Sequence, residues 1–263
     1  MYLLFKDIKE ADKNIAINSL INESTPKPAF FFLVNLSTIM ATLGLLINNT
    51  SVVIGSMLIA PILSPILALA MGVSIADPEL IRRSSYTLIK SAFSAIVLST
   101  LTTLIFWKFA VSPSSFREVF NPEIISRTEV SIIYFFIAIV AGLTTAFARM
   151  KPELNDALPG TAIAIALVPP LATIGIGLAM WNFSIVSGAT TMFLVNALGI
   201  VLAALIIFSL MRLHQKRNTI ERARKKADEE QRKIEEKHEE EKIEEKIDAL
   251  KEAIGIEENK KKN

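Results

Sequence analysis

An all-α, polytopic membrane bundle is the fold class this sequence predicts, and three observations carry the prediction. Six long apolar windows follow one another at about 29–47, 51–76, 84–110, 129–149, 160–181 and 188–211. Charge is concentrated after them: residues 1–211 hold 12 Lys and Arg with 11 Asp and Glu, while residues 212–263 hold 16 and 15. Finally, the second and fifth windows are interrupted by prolines, at Pro61 and Pro65 and at Pro169 and Pro170. About 20 apolar residues cross the hydrocarbon of a bilayer, so each window is near the required length. Proline removes a backbone donor and breaks a helix. In lipid such a break survives only where protein or a watery cavity satisfies the freed carbonyls.

The segment 1–28 is mixed in character. Leu4, Ile8, Ala11 and Ile15 recur at helical spacing among Lys and Asp or Glu, which predicts a short amphipathic segment lying on the membrane surface or capping the bundle. Pro26 and Pro28 mark its boundary with the first window, which lacks a cleavage signature and reads as a permanent crossing. Asn48–Ala76 carries no charge over 29 residues, with two prolines and two glycines, and reads as a buried, interrupted crossing. Within it Ser56, Ala60, Ser64, Ala68 and Gly72 recur every four residues, a stripe of small side chains that lets another backbone approach closely.

Orientation follows from Lys and Arg, which favour the cytoplasmic side. Lys6, Lys9, Lys13 and Lys27 precede the first window, Arg82 and Arg83 lie in the second linker, and Arg149 and Lys151 in the fourth. With six spans these fall on one side together with the tail, so the expectation is a cell-membrane protein with both termini cytoplasmic. The tail, 212–263, is expected to be a charged helix. Ile243, Ile247, Leu250 and Ile254 follow heptad spacing, so a solvated single helix and a short coiled coil joining subunits of a homo-oligomer are both open.

The six windows divide into two sets of three, each with a proline-broken middle member and matching glycines (Gly55 and Gly160; Gly72 with Gly175 and Gly177). Three spans per set place the second set in the opposite orientation, a 3+3 inverted repeat of the kind that holds a transporter site between broken helices.

These motifs also resemble a known family. The run from Val52 to Ile66, VVIGSMLIAPILSPI, looks like the signature of a prokaryotic membrane family catalogued as an uncharacterised hydrophobic domain of unknown function. Pro159 to Leu171, PGTAIAIALVPPL, is similar to its second proline motif, and Phe193-Leu194-Val195-Asn196-Ala197 to its last-span motif. The resemblance covers about residues 30–212 and implies the membrane fold, but brings no substrate or reaction. Many members carry a folded cytoplasmic domain before the spans, where 28 residues stand in this sequence.

Enzymatic equipment is missing from the windows. His214 and His238 lie in or beside the tail, Glu129 at the start of the fourth window is the one carboxylate in any of them, and no HExxH or phosphate-binding loop occurs. With no cysteine there is no thiolate nucleophile or ligand. No catalytic residue, cofactor or metal site is therefore expected, and no nucleic-acid partner. Proton relays through embedded acids are disfavoured for the same reason. Lys90, about six residues into the third window, either snorkels to the interface or lines an anion path. Asn35, Thr38 and Thr42, with Thr190, Thr191 and Asn196, supply neutral polar groups.

The expected function is movement of a small solute or ion between the two broken spans, with Ser56, Pro61, Ser64, Pro65, Lys90, Thr161, Pro169, Pro170, Thr173 and Asn196 along the path. The alternative is a non-transporting scaffold or sensor that presents 212–263 to a cytoplasmic protein partner.

Overall fold

The computed structural model of the chain describes residues 10–110, 121–151, 154, 167–211 and 217–254. Its described elements are all helices: α1 (Glu10–Ser24), α2 (Pro28–Leu46), α3 (Thr50–Ile59), α4 (Leu63–Ser74), α5 (Pro78–Ala110), the single turn α6 (Pro122–Ile125), α7 (Ile132–Arg149), α8 (Val168–Ala179), α9 (Phe183–Leu210) and α10 (Arg217–Ile254). Among the described residues α2, α5, α7 and α9 are long and apolar enough to cross a membrane. The pair α3 and α4, bent by 51° at their break, adds a fifth candidate. The protein is thus a membrane-embedded helical bundle. The fifth window is helical over α8, whose 12 residues make only about 18 Å; its first part lies outside the described residues.

Three turns share one construction. After α2, α4 and α8 a single residue takes the left-handed conformation (Asn48 φ 53°, Ala76 φ 52°, Trp181 φ 54°). The next residue caps the following helix: Asn49 Oδ1 accepts from the Val52 N–H, Asp77 Oδ1 from those of Glu79 and Leu80, and Asn182 Oδ1 from those of Ser184 and Ile185. Their own N–H groups reach back to the carbonyls of Gly44, Gly72 and Gly177 at 2.8–2.9 Å. Each of these glycines is pressed against the incoming helix, since a Cβ there would lie 3.1 Å from the N of Val53, Ile81 and Val186 respectively. Side-chain caps satisfy first-turn donors, so the helices start at these Asn and Asp residues. The helices of the third and sixth windows thus begin earlier than expected, at Pro78 and Phe183, inside segments read as linkers. Capping by Asn121, with Pro122 in the first turn, also makes α6 inside the expected third linker.

Packing places four helices in a ring. α5 packs against α8, α8 against α9, α9 against α4 and α4 against α5. α2 lies outside on α3, α5 and α8, and α7 on α9. Small residues let these helices close up. A Cβ on Gly142 would lie 2.9 Å from Ala203 Cβ, and one on Gly199 2.8 Å from Ala138 Cβ. Outward faces are apolar and exposed, with Ile89, Phe93, Val97 and Leu101 on α5, Ile132, Phe136 and Val140 on α7, and Leu194, Leu198 and Leu202 on α9. Such a surface suits lipid, not water.

The two ends of the chain meet. α1 buries Ala16, Ile17, Leu20 and Ile21 and packs on α4 and α10. Of the expected apolar face, Ile15 is exposed, while Leu4 and Ile8 lie outside the described residues. α10 is docked over its first turns, with Ala227 buried and the Arg83 guanidinium ion-paired to Asp228. Further on, Ile243 and Ile247 are exposed.

Candidate functional site

The break in the second window is built by Ala60 and Pro61. Ala60 is extended (φ −78°, ψ 122°), as a residue before proline is driven to be, and Pro61 and Ile62 carry the chain into α4. Pro65 lies in the first turn of α4, and Pro169 and Pro170 in the first turn of α8. There a proline's missing N–H costs little, because first-turn donors have no intrahelical acceptor. These three prolines start helices; Pro61 stands in the break itself.

α8 is the most enclosed element, buried at every residue from Val168 to Gly177. α4 is buried at Ser64–Ala68 and again at Ala70–Gly72. The break divides the small-residue stripe, so it is not one continuous face. Ser56 lies against α2, its carbonyl accepting from Ser37 Oγ at 2.6 Å, whereas Gly72 faces Ile81 of α5. Ser56 Oγ donates within its own helix to the Val53 carbonyl.

The remaining expected residues separate into inner and outer groups. Ser64 accepts a bond from Arg149 Nη2 at 3.3 Å, which ties the end of α7 to the start of α4. Thr173 is buried on α8 and its hydroxyl meets no partner, and Asn196 is buried on α9. Lys90 is on the outer face, its Nζ 4.9 Å from the Phe31 ring centroid and 5.8 Å from that of Tyr86. That placement matches a snorkelling cation over aromatic faces and keeps Lys90 away from Ser64 and Thr173. Thr161 lies outside the described residues.

Sequence reading passed over α5 as a source of inner polar groups. Ser84, Thr87, Ser91, Ser99 and Thr103 are all buried along it. Ser99 Oγ donates to the Ala172 carbonyl of α8 at 2.7 Å and accepts from Thr42 of α2 at 2.9 Å, so three helices meet there. Thr100 Oγ1 reaches the Gly175 carbonyl at 3.2 Å. The signal for this face was present, since these hydroxyls recur three or four residues apart with Ala95 filling one position, but apolar residues recur in the same way on the lipid side of the helix. Asn35 Oδ1 accepts from Ser94 Oγ at 2.7 Å, and Thr38 and Thr42 bond back to carbonyls of their own helix.

At the end of the bundle that α1 and α10 share, Arg83 has only 9% of its side chain exposed and Asp228 has 46%. Arg83 Nη2 also donates to Thr25 Oγ1 at 2.5 Å. At the other end Glu123 of α6 accepts from Thr50 and pairs with Arg127 at 3.3 Å, while Asn121 Nδ2 holds the Leu45 carbonyl. Among the described residues no three His, Asp or Glu converge in a metal-binding group.

Comparison with known proteins gives this chain a family and no reaction. The chain is 35% identical over 178 residues to an uncharacterised protein of Methanocaldococcus jannaschii, an alignment covering 66% of this chain and 51% of that protein. The chain thus spans about half the length of the curated relative it matches. No solved structure matches it. The profile of the DUF389 domain, a domain of unknown function, matches residues 57–202, from the last turns of α3 to the middle of α9. That match takes in the break at Pro61, the prolines that open α8 and more than half of the chain, which therefore belongs to the DUF389 family.

Proposed function

We propose that the protein moves a small solute or ion across the cell membrane, along a path between its two proline-broken segments in a 3+3 inverted repeat. One observation carries this reading: burial recurs at a fixed separation of 105 positions. On α5 and α9 the buried pairs are Leu80 and Ile185, Ser84 and Ala189, Thr87 and Met192, Ser91 and Asn196, and Ala95 and Ile200. The exposed pairs keep the same separation: Ile89 and Leu194, Phe93 and Leu198, Val97 and Leu202, Leu101 and Ile206. Pro65 and Pro170, Gly72 and Gly177, and the caps Asp77 and Asn182 follow it too. Packing exchanges in the same way, with α4–α5 answering α8–α9, α4–α9 answering α8–α5, and α2–α5 answering α7–α9.

Parity supports six crossings. Because α1 packs on α10 and Gln231 Nε2 lies 3.4 Å from the Pro26 carbonyl, α2 begins and α9 ends on one side of the bundle. An even number of crossings fits that arrangement and favours reading the segment ending in α8 as the sixth. The Lys and Arg distribution favours the cytoplasm for that side. Broken segments at equivalent places in two inverted halves give alternating access a fixed site about which to rock.

Flux from liposomes tests the reading. Pro61→Ala favours joining α3 and α4 into one straight helix. Relief of a helix-interior proline penalty of about 3 kcal/mol is enough to lower flux by at least about tenfold. A chain shortened after Lys233, which keeps the docked turns of α10, is expected to retain flux. Liposomes that pass no ion or small solute, with a cellular phenotype lost only on removing the tail, overturn transport in favour of a scaffold. One observation favours that second reading. Ile247 lies 20 residues from buried Ala227, about 200° round the helix, so the tail presents an apolar edge away from its own bundle. A cytoplasmic protein or a second copy of the chain would bind there.

A further inference from the structure

We propose that the path runs along the hydroxyl face of α5 and carries a small monovalent cation, an assignment of cargo class that rests on the transport reading above. Ser84, Thr87, Ser91, Ser99 and Thr103 are each at most 1% exposed, and with Ala95 between them they form one inner stripe. At 1.5 Å per residue the stripe is about 28 Å long, close to the thickness of the bilayer's hydrocarbon. It faces both broken segments, because α5 packs on α4 and on α8. The equivalent stripe on α9 is different in kind: Ala189, Met192, Asn196, Ala204 and Phe208 offer one polar side chain. The two halves share a fold, so the hydroxyls of α5 are an addition that the packing does not require.

Hydrogen bonding to the backbone accounts for part of the stripe only. Ser99 donates across to the Ala172 carbonyl of α8, while Thr103 and Ser91 donate within α5 to the carbonyls of Ser99 and Leu88. By contrast Ser84 Oγ and Thr87 Oγ1 are fully buried with no hydrogen-bond partner, and so is Thr173 Oγ1 on α8. Eight threonines of the spans (38, 42, 100, 103, 144, 145, 190 and 191) bond back to the carbonyl four residues earlier. Thr87 and Thr173 do not. A buried hydroxyl without a partner is costly, and where the site is polar the missing partner is water or a ligand.

The chemistry of the stripe selects the charge of that ligand. A hydroxyl has one proton and two lone pairs. Where the proton goes to a backbone carbonyl, as for Ser91 and Thr103, the oxygen is left to accept. Uncharged oxygens of this kind replace the hydration of a monovalent cation. The carboxylates that divalent cations need are missing from the stripe.

The chain has no cysteine, so every single-cysteine variant carries one thiol. In sealed proteoliposomes, S84C, T87C and S91C are treated with a cationic and with an anionic methanethiosulfonate. I89C and F93C, on the outer face at 69% and 68% exposure, serve as controls. Expected at 84, 87 and 91 is a cationic-to-anionic rate ratio at least about tenfold above that of a free thiol in solution, the size of one discriminating polar contact, and slow labelling of both controls. Three separate positions keep the test alive if one variant misfolds. Potassium and chloride flux are then measured for the native chain and for S84A and T87V, where potassium flux lowered about tenfold is expected on losing a ligand. Chloride flux without potassium flux overturns the cation assignment and leaves transport standing. Potassium flux unchanged in both variants, or stripe cysteines no more reactive than the controls, overturns the α5 lining. No flux of any ion or solute removes the transport reading, and the cargo assignment with it.

Discussion

Gly175 is the position where a single methyl group tests the packing most severely. A Cβ placed there would lie 2.5 Å from Ser99 Cβ, 2.7 Å from Ser99 Oγ and 2.7 Å from the Ile96 carbonyl oxygen. Two of the three obstructing atoms belong to a short side chain and the third is backbone, so none can swing away. Gly175→Ala must therefore push α8 away from α5. Overpacking of this kind costs about 1–3 kcal/mol. Separation also stretches the bonds from Ser99 to Ala172 and from Thr100 to Gly175, and interhelical bonds in membranes average about 0.6 kcal/mol each. Against this, alanine is a better helix former than glycine by about 0.5–1 kcal/mol. The net expectation is a loss of about 1–3 kcal/mol. Gly55 is the matched control, because a Cβ there meets only the flexible Met40 Cε, at 3.0 Å. Gly55→Ala should be neutral or stabilising within about 1 kcal/mol. Unfolding of purified protein in mixed micelles, titrated with denaturing detergent, reads both variants against the native chain. If Gly175→Ala proves as stable as the native chain while Gly55→Ala is weakened, the close approach of α8 to α5 is not as described.

Other consequences can be measured in the same preparations. Asp77→Ala removes the acceptor for the N–H groups of Glu79 and Leu80, and Asn182→Ala that for Ser184 and Ile185. Each is expected to cost about 0.5–2 kcal/mol in detergent unfolding, and a null effect at both removes the capping account of the turns. Asp228→Ala leaves the Arg83 guanidinium buried without its tail carboxylate, so α10 should lift from the bundle. Trypsin should then cut between Lys225 and Lys233 about tenfold faster, corresponding to about 1.4 kcal/mol of docking energy. Unchanged cleavage would mean that Ala227 and its neighbours hold the tail without the ion pair.

The sequence by itself determined the class of fold and the places where helices stop. Long windows with few charges suit a bilayer, and Asn49, Asp77 and Asn182 start helices through short-range bonds that need no tertiary partner. The prolines were legible as breaks for the same reason, since their missing N–H and fixed φ act locally. Which way each helix faces was decided by the tertiary structure alone. In a water-soluble protein an apolar residue marks the core, but lipid is as apolar as a core, so hydropathy does not separate inside from outside in a membrane helix. Ile89 and Phe93 face outward and Ala95 inward on α5 with similar apolar character. Lys90 was accordingly readable as a path residue or as a snorkelling cation, and only its place over Phe31 and Tyr86 puts it on the outer face. The docking of α10 was hidden by its charge, because Ala223, Ala227 and the ion pair of Asp228 lie inside a segment crowded with other charges. The burial of Ser84 and Thr87 without partners exists only once α4 and α8 have closed around α5, which no local pattern in the chain specifies.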